Sequence, residues 1–338
     1  MNLLIIGGAG YIGSNVVWLF KQLDPSINML ILDNFSTGTK QALVPGVEWV
    51  EADVRNLAQL ESIFEFRHFD AVLDFSALTV VSESTIYPLS YYEDNFIGTY
   101  NIVKCIKKYH VPNLMFSSTA AVYGNPVHIP VSEQDPKNPI NPYGCTKLCS
   151  EMLIKDAAKA YDFNYMIFRY FNVAGASDNY QYGFYRKSPT LLIPALNNAI
   201  LANQTIHVYG DDYPTKDGTC IRDYIHVVDL ANAHWLGLNW LIANQKSNII
   251  NLGSSNGFSV KEVLDCAIKL NYAPIKYDIK PARPGDPAVL ITDINKAKEV
   301  LGWIPQKKLA DMIYSDWQFR KSHFQAINDE VKKEQKLC

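Results

Sequence analysis

The amino-acid sequence predicts an α/β fold, a doubly wound parallel sheet followed by a smaller mixed α/β lobe. Three observations carry this. Short apolar runs alternate with longer stretches of helical periodicity through the first half of the chain. The first apolar run leads straight into a glycine-rich turn, Gly-Gly-Ala-Gly-Tyr-Ile-Gly over residues 7–13. Residues able to do chemistry (Gly7, Asp33, Asp53, Ser76 and Ser117) each follow a strand, and in open parallel sheets ligands bind at the strands' carboxyl ends.

In order, residues 3–6, 29–32, 71–75, 114–116 and 165–168 read as buried strands, and the run 47–54 adds one that ends at Asp53. Residues 12–23, 57–64, 91–108 and 146–161 read as helices. After about residue 171 the rhythm loosens. Residues 178–188 are polar and aromatic with no clear element. Residues 206–209, 249–252 and 275–279 read as strands, 260–270 and 294–301 as helices, the last with Asp293 as its N-cap. Residues 325–338 are charged and lack an apolar face, the pattern of a frayed helical tail. The expected division is a dinucleotide-binding (Rossmann) domain over 1–171 and a substrate-binding lobe over 172–338, with some segments returning to the first sheet.

A chain of 338 residues fits one large domain or two ordinary ones. Apolar residues make up 48%, enough for a substantial core. A net charge of −3 offers no nucleic-acid surface. Six cysteines show neither C-x-x-C nor a paired framework, which predicts a reduced, cytosolic setting. Seven scattered histidines predict no metal. The N-terminus reads as an immediate strand, not a signal peptide, and no apolar run reaches the length of a membrane span, so no membrane partner is expected.

Gly7, Gly10 and Gly13 let a strand turn tightly into a helix, whose N-terminus receives a pyrophosphate. Asp33 closes the second strand, where this fingerprint places an acid for ribose hydroxyls. Its charge would repel a 2′-phosphate, so the cofactor expected is NAD, not NADP. Asp53 suits an adenine amino contact; the alternative is a solvated loop acid.

The pair Tyr143 and Lys147, in N-P-Y-G-C-T-K, is weak alone. It gains meaning from the glycine turn and from the hydroxyl-rich run F-S-S-T-A-A-V-Y-G at 116–124. Together they read as a nicotinamide cofactor beside a tyrosine base. On one helix the two side chains share a face. A tyrosine titrates near ~10, and a lysine plus an oxidised nicotinamide would bring it toward neutrality as a general base. Thr119 can share a proton with a substrate hydroxyl; the alternative is turn capping. Cys145 and Cys149 lie off that helix face and read as packing residues.

On these motifs the chain resembles the extended short-chain dehydrogenase/reductases, and within them the UDP-hexose 4-epimerases, over nearly all of residues 1–320. More specific marks are Y-F-N-V-A-G-A at 170–176 and the run Y-G-D-D-Y-P-T-K-D-G-T-C-I-R-D-Y-I-H-V-V-D-L-A at 209–231. The related 4,6-dehydratases usually place Asp-Glu after the catalytic threonine; here Ala120 and Ala121 stand there. The resemblance implies a redox cycle at sugar C4 with NAD kept bound, Tyr143, Lys147 and Thr119 being catalytic. It implies that Gly7, Gly10, Tyr11, Ile12, Gly13, Asp33, Asn34, Ser36, Asp53, Val54, Phe75, Ser76, Ala77, Leu78, Thr79, Asn95, Ser117, Tyr143, Lys147 and Phe171 line the cofactor. For the UDP-sugar it implies Thr119, Tyr143, Asn172, Leu191, Leu192, His207, Val208, Tyr209, Arg222, Arg283, Asp286 and Leu290. Either arginine alone could equally be a surface ion pair. A homodimer through the helices at 91–108 and 146–161 is implied as well.

There are departures. The family's cofactor-lining run often reads H-F-A-G-L-K, whereas this chain has Asp74-Phe75-Ser76-Ala77-Leu78-Thr79. Its Asn-Asn-Leu becomes Thr190-Leu191-Leu192. Leu290 stands where galactose-restricted members carry tyrosine, leaving room for a 2-acetamido group, so UDP-GlcNAc and UDP-GalNAc are expected substrates beside UDP-glucose and UDP-galactose. The competing readings are another nucleotide-sugar 4-epimerase or decarboxylase of the same family, and a non-catalytic NAD-binding regulator.

Overall fold

The computed structural model describes residues 1–186, 189–270, 275–283 and 287–334, the stretch 328–334 as backbone only. The first half runs β1 (Asn2–Ile6), α1 (Tyr11–Leu23), β2 (Asn28–Asp33), β3 (Glu48–Glu51), α2 (Leu57–Glu65), β4 (Ala71–Asp74), α3 (Val81–Ile86), α4 (Pro88–Tyr91), α5 (Gly98–Tyr109), β5 (Asn113–Thr119), α6 (Pro142–Tyr161) and β6 (Asn164–Tyr170). The second runs β7 (Asn172–Ala174), α7 (Leu192–Leu201), β8 (Thr205–Tyr209), β9 (Ile221–His226), α8 (Val227–Asn244), β10 (Asn248–Leu252), β11 (Gly257–Ser259), α9 (Val260–Lys269), β12 (Lys276–Lys280), β13 (Val289–Leu290), α10 (Asn295–Leu301) and α11 (Leu309–Glu334).

Seven strands form one parallel sheet in the order β10-β6-β5-β4-β1-β2-β3. β1 lies between β2 and β4, so the chain reverses its winding direction beside β1. One face of the sheet packs its Leu3, Ile5, Leu73, Met115 and Phe168 against Val16, Val17 and Phe20 of α1 and Leu230, Leu238 and Leu241 of α8. The other packs Leu4, Ile6, Val72, Leu114, Phe116 and Ile167 against α2, α5 and α6. Alternate residues of each strand thus feed opposite cores, as the pleat requires. Strands buried on both faces are apolar throughout, which is why they were legible as continuous runs.

The second half forms a smaller layer. β9 pairs with β11 and β13 along its first residues and with β7 along its last. β8 pairs in parallel with β12. Residues of α7, α9 and α11 close over Ile206, Val208 and Tyr224 as a third core. α9 begins with a capping box between Ser259 and Glu262.

Several expectations change. The helix expected at 91–108 forms without a gap but carries a π-turn: α4 ends at Tyr91, the π-turn covers Tyr92–Ile97, and α5 follows. The extra residue of the π-turn turns Asn95 inward, where its backbone oxygen takes bonds from the Thr99 and Ser150 hydroxyls. The formal cap of α10 is Ile294, although Asp293 does accept from the Asn295 amide at 2.7 Å. Residues 325–334 of the tail continue α11, with Ile327 buried in a cluster with Phe319 and Ala176. Among the described residues no helix is long and apolar enough to cross a membrane.

Candidate active site

The sheet topology brings four turns together at the carboxyl ends of adjacent strands. These follow β1 (Gly7), β2 (Asp33), β4 (Phe75) and β5 (Ala120). Gly7 has φ +74°, and a Cβ there would stand 2.8 Å from the Phe75 carbonyl carbon and the Ser76 nitrogen. Only glycine lets those two turns pass so closely. Asp33 is buried. Its Oδ2 accepts from the Ala9 amide at 2.9 Å and its Oδ1 from the Phe35 amide at 2.8 Å, so one carboxylate fixes both its own turn and the glycine turn. Burial pushes its pKa up, against those two bonds. This cradle, an acid at its rim and a helix N-terminus behind it, fits a dinucleotide.

The other cofactor candidates are distributed around it. The Tyr11 hydroxyl donates to the Gly175 carbonyl at 2.7 Å, and its ring meets Phe184 edge-on. Ile12 packs on the α1 side of the sheet. Asn34 donates to Asp53 at 3.2 Å and accepts from the Ser36 amide. Asp53 is also gripped by Arg55, which holds its carboxyl down at about 2. Its side chain is 25% exposed beside that pair. Val54 is buried beneath Gly98. The Asn95 side chain is committed to protein: it accepts from the Leu78 amide at 2.8 Å and donates to the Leu78 carbonyl and the Thr146 hydroxyl. It therefore holds the run 75–79 in shape. Thr79 at its end is exposed. Phe75 rests on His234, and the Ser117 hydroxyl takes a hydrogen bond from Tyr170.

α6 starts at Pro142, earlier than the periodicity suggests. The Asn141 side chain caps it by accepting from the Gly144 amide at 2.9 Å, with proline at the first helical position. A Cβ on Gly144 would lie 2.6 Å from the Ala121 carbonyl oxygen, so glycine permits the helix start to sit against the turn after β5. That contact brings Tyr143 to Thr119, whose hydroxyl pulls the phenol's pKa down. Thr119 Oγ1 also accepts from the Ala121 amide at 3.1 Å. The same hydroxyl thus caps its turn and faces the phenol.

Lys147, one turn on, is 2% exposed, and its ammonium stands 4.6 Å above the Phe116 ring. Burial brings its pKa down to about 8, with Asp74 and then Glu151 acting to raise it. Burial pushes the Tyr143 phenol up, and Thr119 pulls it down. Asp74 is a site residue that sequence reasoning missed; its signal was the acidic first position of D-F-S-A-L-T.

Of the residues expected at the substrate, Arg222 of β9 is buried, donates to the Ile221 carbonyl, and stands opposite Leu290 in the β9/β13 register. Leu290 is partly buried and packs on the cluster of Ala120, Val122, Tyr123, Val131 and Phe171, which includes the turn that begins at Thr119. Arg283 stacks on the Tyr209 ring at 4.0 Å. His207 is exposed and pairs with Asp278 at 2.5 Å. Val208 differs from expectation: strand alternation turns its side chain into the lobe core. Leu191 caps α7, with Leu192 packed on the lobe core, and Asn172 lies in β7 beside β9. Asp286 lies outside the described residues. Among the described residues no cluster of His, Cys, Asp or Glu could hold a metal.

A doubly wound sheet with this glycine turn, and a Tyr-x-x-x-Lys helix facing a threonine at a strand end, defines an NAD-dependent enzyme of the short-chain type. The chain belongs to the NAD dependent epimerase/dehydratase family, whose model matches residues 3–253. It is 42% identical over 337 residues to a UDP-glucose 4-epimerase of Halalkalibacterium halodurans, covering 99% of this chain and 100% of that one. It is also similar to the solved UDP-Glc/GlcNAc 4-epimerase of Campylobacter jejuni, with TM-score 0.82 and 40% identity over 95% of this chain and 99% of that one. A UDP-glucose 4-epimerase of Bifidobacterium longum, solved with NAD+ and UDP, gives TM-score 0.88 and 33% identity over 95% and 98% of the two chains.

Proposed function

We propose that this protein is a UDP-hexose 4-epimerase that interconverts UDP-glucose and UDP-galactose with a retained NAD, and that it also accepts UDP-GlcNAc and UDP-GalNAc. The observation that carries the reading is the meeting of Tyr143, Thr119 and Lys147 beside the glycine turn buttressed by Asp33. Bound NAD supplies a reversible hydride acceptor. Residues 7–13 would hold its pyrophosphate, with Asp33, Asn34 and Ser36 at the adenosine ribose, Asp53 and Val54 near the adenine, and Phe75–Thr79, Ser117 and Phe171 around the nicotinamide half.

Tyr143, as phenolate, takes the proton of the sugar C4 hydroxyl, and Thr119 bridges the two oxygens. C4 becomes a ketone. Once the sugar has turned over, the same phenol returns the proton. A sugar that must turn cannot be gripped tightly, so affinity comes from the nucleotide. Arg222 and Arg283 suit the diphosphate, since guanidinium forks bind such groups bidentately. Asn172 would sit at the diphosphate or sugar and Asp286 at the uridine ribose. Leu191, Leu192, His207, Tyr209 and the backbone of Val208 would enclose the uracil. The division of labour follows the chain: residues 1–171 hold the cofactor, and 172–338 mainly the UDP-sugar.

Leu290 supports the wider specificity. It packs on the cluster that includes Ala120, next to Thr119, and is smaller than tyrosine. The protein is also read as a homodimer, and its free thiols suit a cytosolic setting, which cell fractionation would check. The experiment for the activity is product analysis by NMR. Purified protein, with no NAD added, is incubated with UDP-galactose and separately with UDP-GalNAc. Both should reach equilibrium with their C4 epimers. Conversion of UDP-galactose alone discards the role of Leu290. Conversion of neither, with NAD then supplied, discards the epimerase, as would undiminished turnover by Tyr143→Phe.

A further inference from the structure

Asp74 ends β4 and is 2% exposed. Its Oδ1 accepts from the Ser76 amide at 2.9 Å and the Ser76 hydroxyl at 2.6 Å. Its Oδ2 is buried with no hydrogen-bond partner. A carboxylate oxygen left bare in the interior is costly unless a positive charge faces it. The strand register shows which charge that is. Asp74 stands opposite Phe116 on neighbouring β5, and the Lys147 ammonium lies 4.6 Å over the Phe116 ring. Asp74 follows Val72 on the sheet face covered by α5 and α6, the face on which Lys147 resides.

The other groups around Lys147 are already engaged. Glu151, one turn along α6, is paired with Arg169 of β6 at 2.6 and 2.9 Å and takes the Ser118 hydroxyl at 2.5 Å. Tyr143 faces Thr119, and Tyr170 is bonded to Ser117. From the π-turn, Asn95 is neutral, and Asp94 turns outward to Arg55. Asp74 is left as the carboxylate without a cation of its own.

We propose that Asp74 is a positioning residue that keeps the Lys147 side chain protonated in the working site. This rests on the reading of Lys147 given above. A nearby anion raises the pKa of an amine, by about one to three units in buried settings. Asp74 is the larger of the two raising influences on Lys147, whose group titrates at about 8. Without the carboxylate Lys147 would lose its proton at or below neutrality. The cofactor and the phenol would then face a neutral amine.

The test compares wild type with Asp74→Asn, which keeps the shape and removes the charge. The NAD-loaded proteins are labelled with 13C-lysine, and the Lys147 Cε resonance is assigned by its loss in Lys147→Arg. Its titration midpoint should move about one unit or more to the acid side in Asp74→Asn. In turnover, the alkaline limb of kcat/KM against pH should move by the same amount, with rates near pH 6 changed little. A residue that merely supports the fold would lower the rate without moving either curve. Unmoved midpoints overturn the proposal. If the NMR midpoint moves while neither form epimerises any UDP-sugar, the charge coupling stands and the catalytic reading of Lys147 falls. Should Asp74→Asn fail to fold, Asp74→Ser removes the same charge without adding volume and reads the same two curves.

Discussion

Thr119 serves two ends with one hydroxyl group. It accepts from the Ala121 amide, which holds the turn, and it faces the Tyr143 phenol, whose pKa it pulls down. Thr119→Val keeps the shape and loses the hydroxyl. Turnover should fall about 10²-fold, the low end for a proton-transfer partner. Stability should fall by only ~1 kcal/mol, the scale of one lost hydrogen bond. Thr119→Ser restores the hydroxyl and should stay within a few-fold of wild type. Parallel kinetics and urea melts on the two variants would check this. A Ser variant as poor as Val would mean that the methyl group, not the hydroxyl, holds the site. At this scale the sequence named Tyr143, Lys147 and Thr119 because each carries its chemistry in its residue type. It did not name Asp74, whose importance comes from what lies across β5, a neighbour that only the sheet register supplies.

Among the elements, those with strict periodicity or both faces buried were legible, and those shaped by partners were not. β1, β2, β4, β5 and β6 sit where their apolar runs placed them. α8 went unread because Trp235, Leu236, Leu238, Trp240 and Leu241 leave it apolar nearly all round, so it has no polar face to betray a period. The π-turn before α5 went unread because its cause is tertiary: the Asn95 side chain turns inward to the Leu78 backbone and Thr146. Segment 178–186 has no element of its own, yet it sets Phe184 against Tyr11 and is held by Arg320 of α11 through the Phe184 carbonyl. On the outer side of α5 and α6, Tyr92 lies beside Cys145 and Cys149, with Ile97, Tyr100 and Met152 also exposed. That apolar stripe is the surface the proposed homodimer would bury. Sedimentation should give twice the chain mass, and Ile97→Arg, which sets like charges across a two-fold axis, should give single chains that still fold. A wild type of single-chain mass would reject the dimer.

For the molecule as a whole, two buried histidines set its tolerance of acid. His226 caps α8 and touches Ser315; His234 lies between Phe75, Phe168 and Tyr170. Burial brings both down to about 4 from an ordinary 6.5. A base whose folded pKa is depressed binds its proton more readily when unfolded. Stability is therefore whole above pH 6.5 and is lost as pH falls toward 4, at about 1.4 kcal/mol per pH unit for each histidine. Urea midpoints across that window should fall on acidification, and His234→Asn should flatten the slope by nearly one proton's share. An unchanged slope would place the acid sensitivity elsewhere.

The last strand of the seven-stranded sheet is β10, contributed from beyond residue 247, and it seals the edge of β6 through five paired positions. A gene cut after residue 171 would leave β6 with a bare row of amides and carbonyls over a hydrophobic core, the kind of edge on which chains aggregate. The cofactor half is thus no module that recombination could lift out and join to another substrate lobe. It should be recovered in soluble form only when the missing half is co-expressed, as two fragments that assemble around β10.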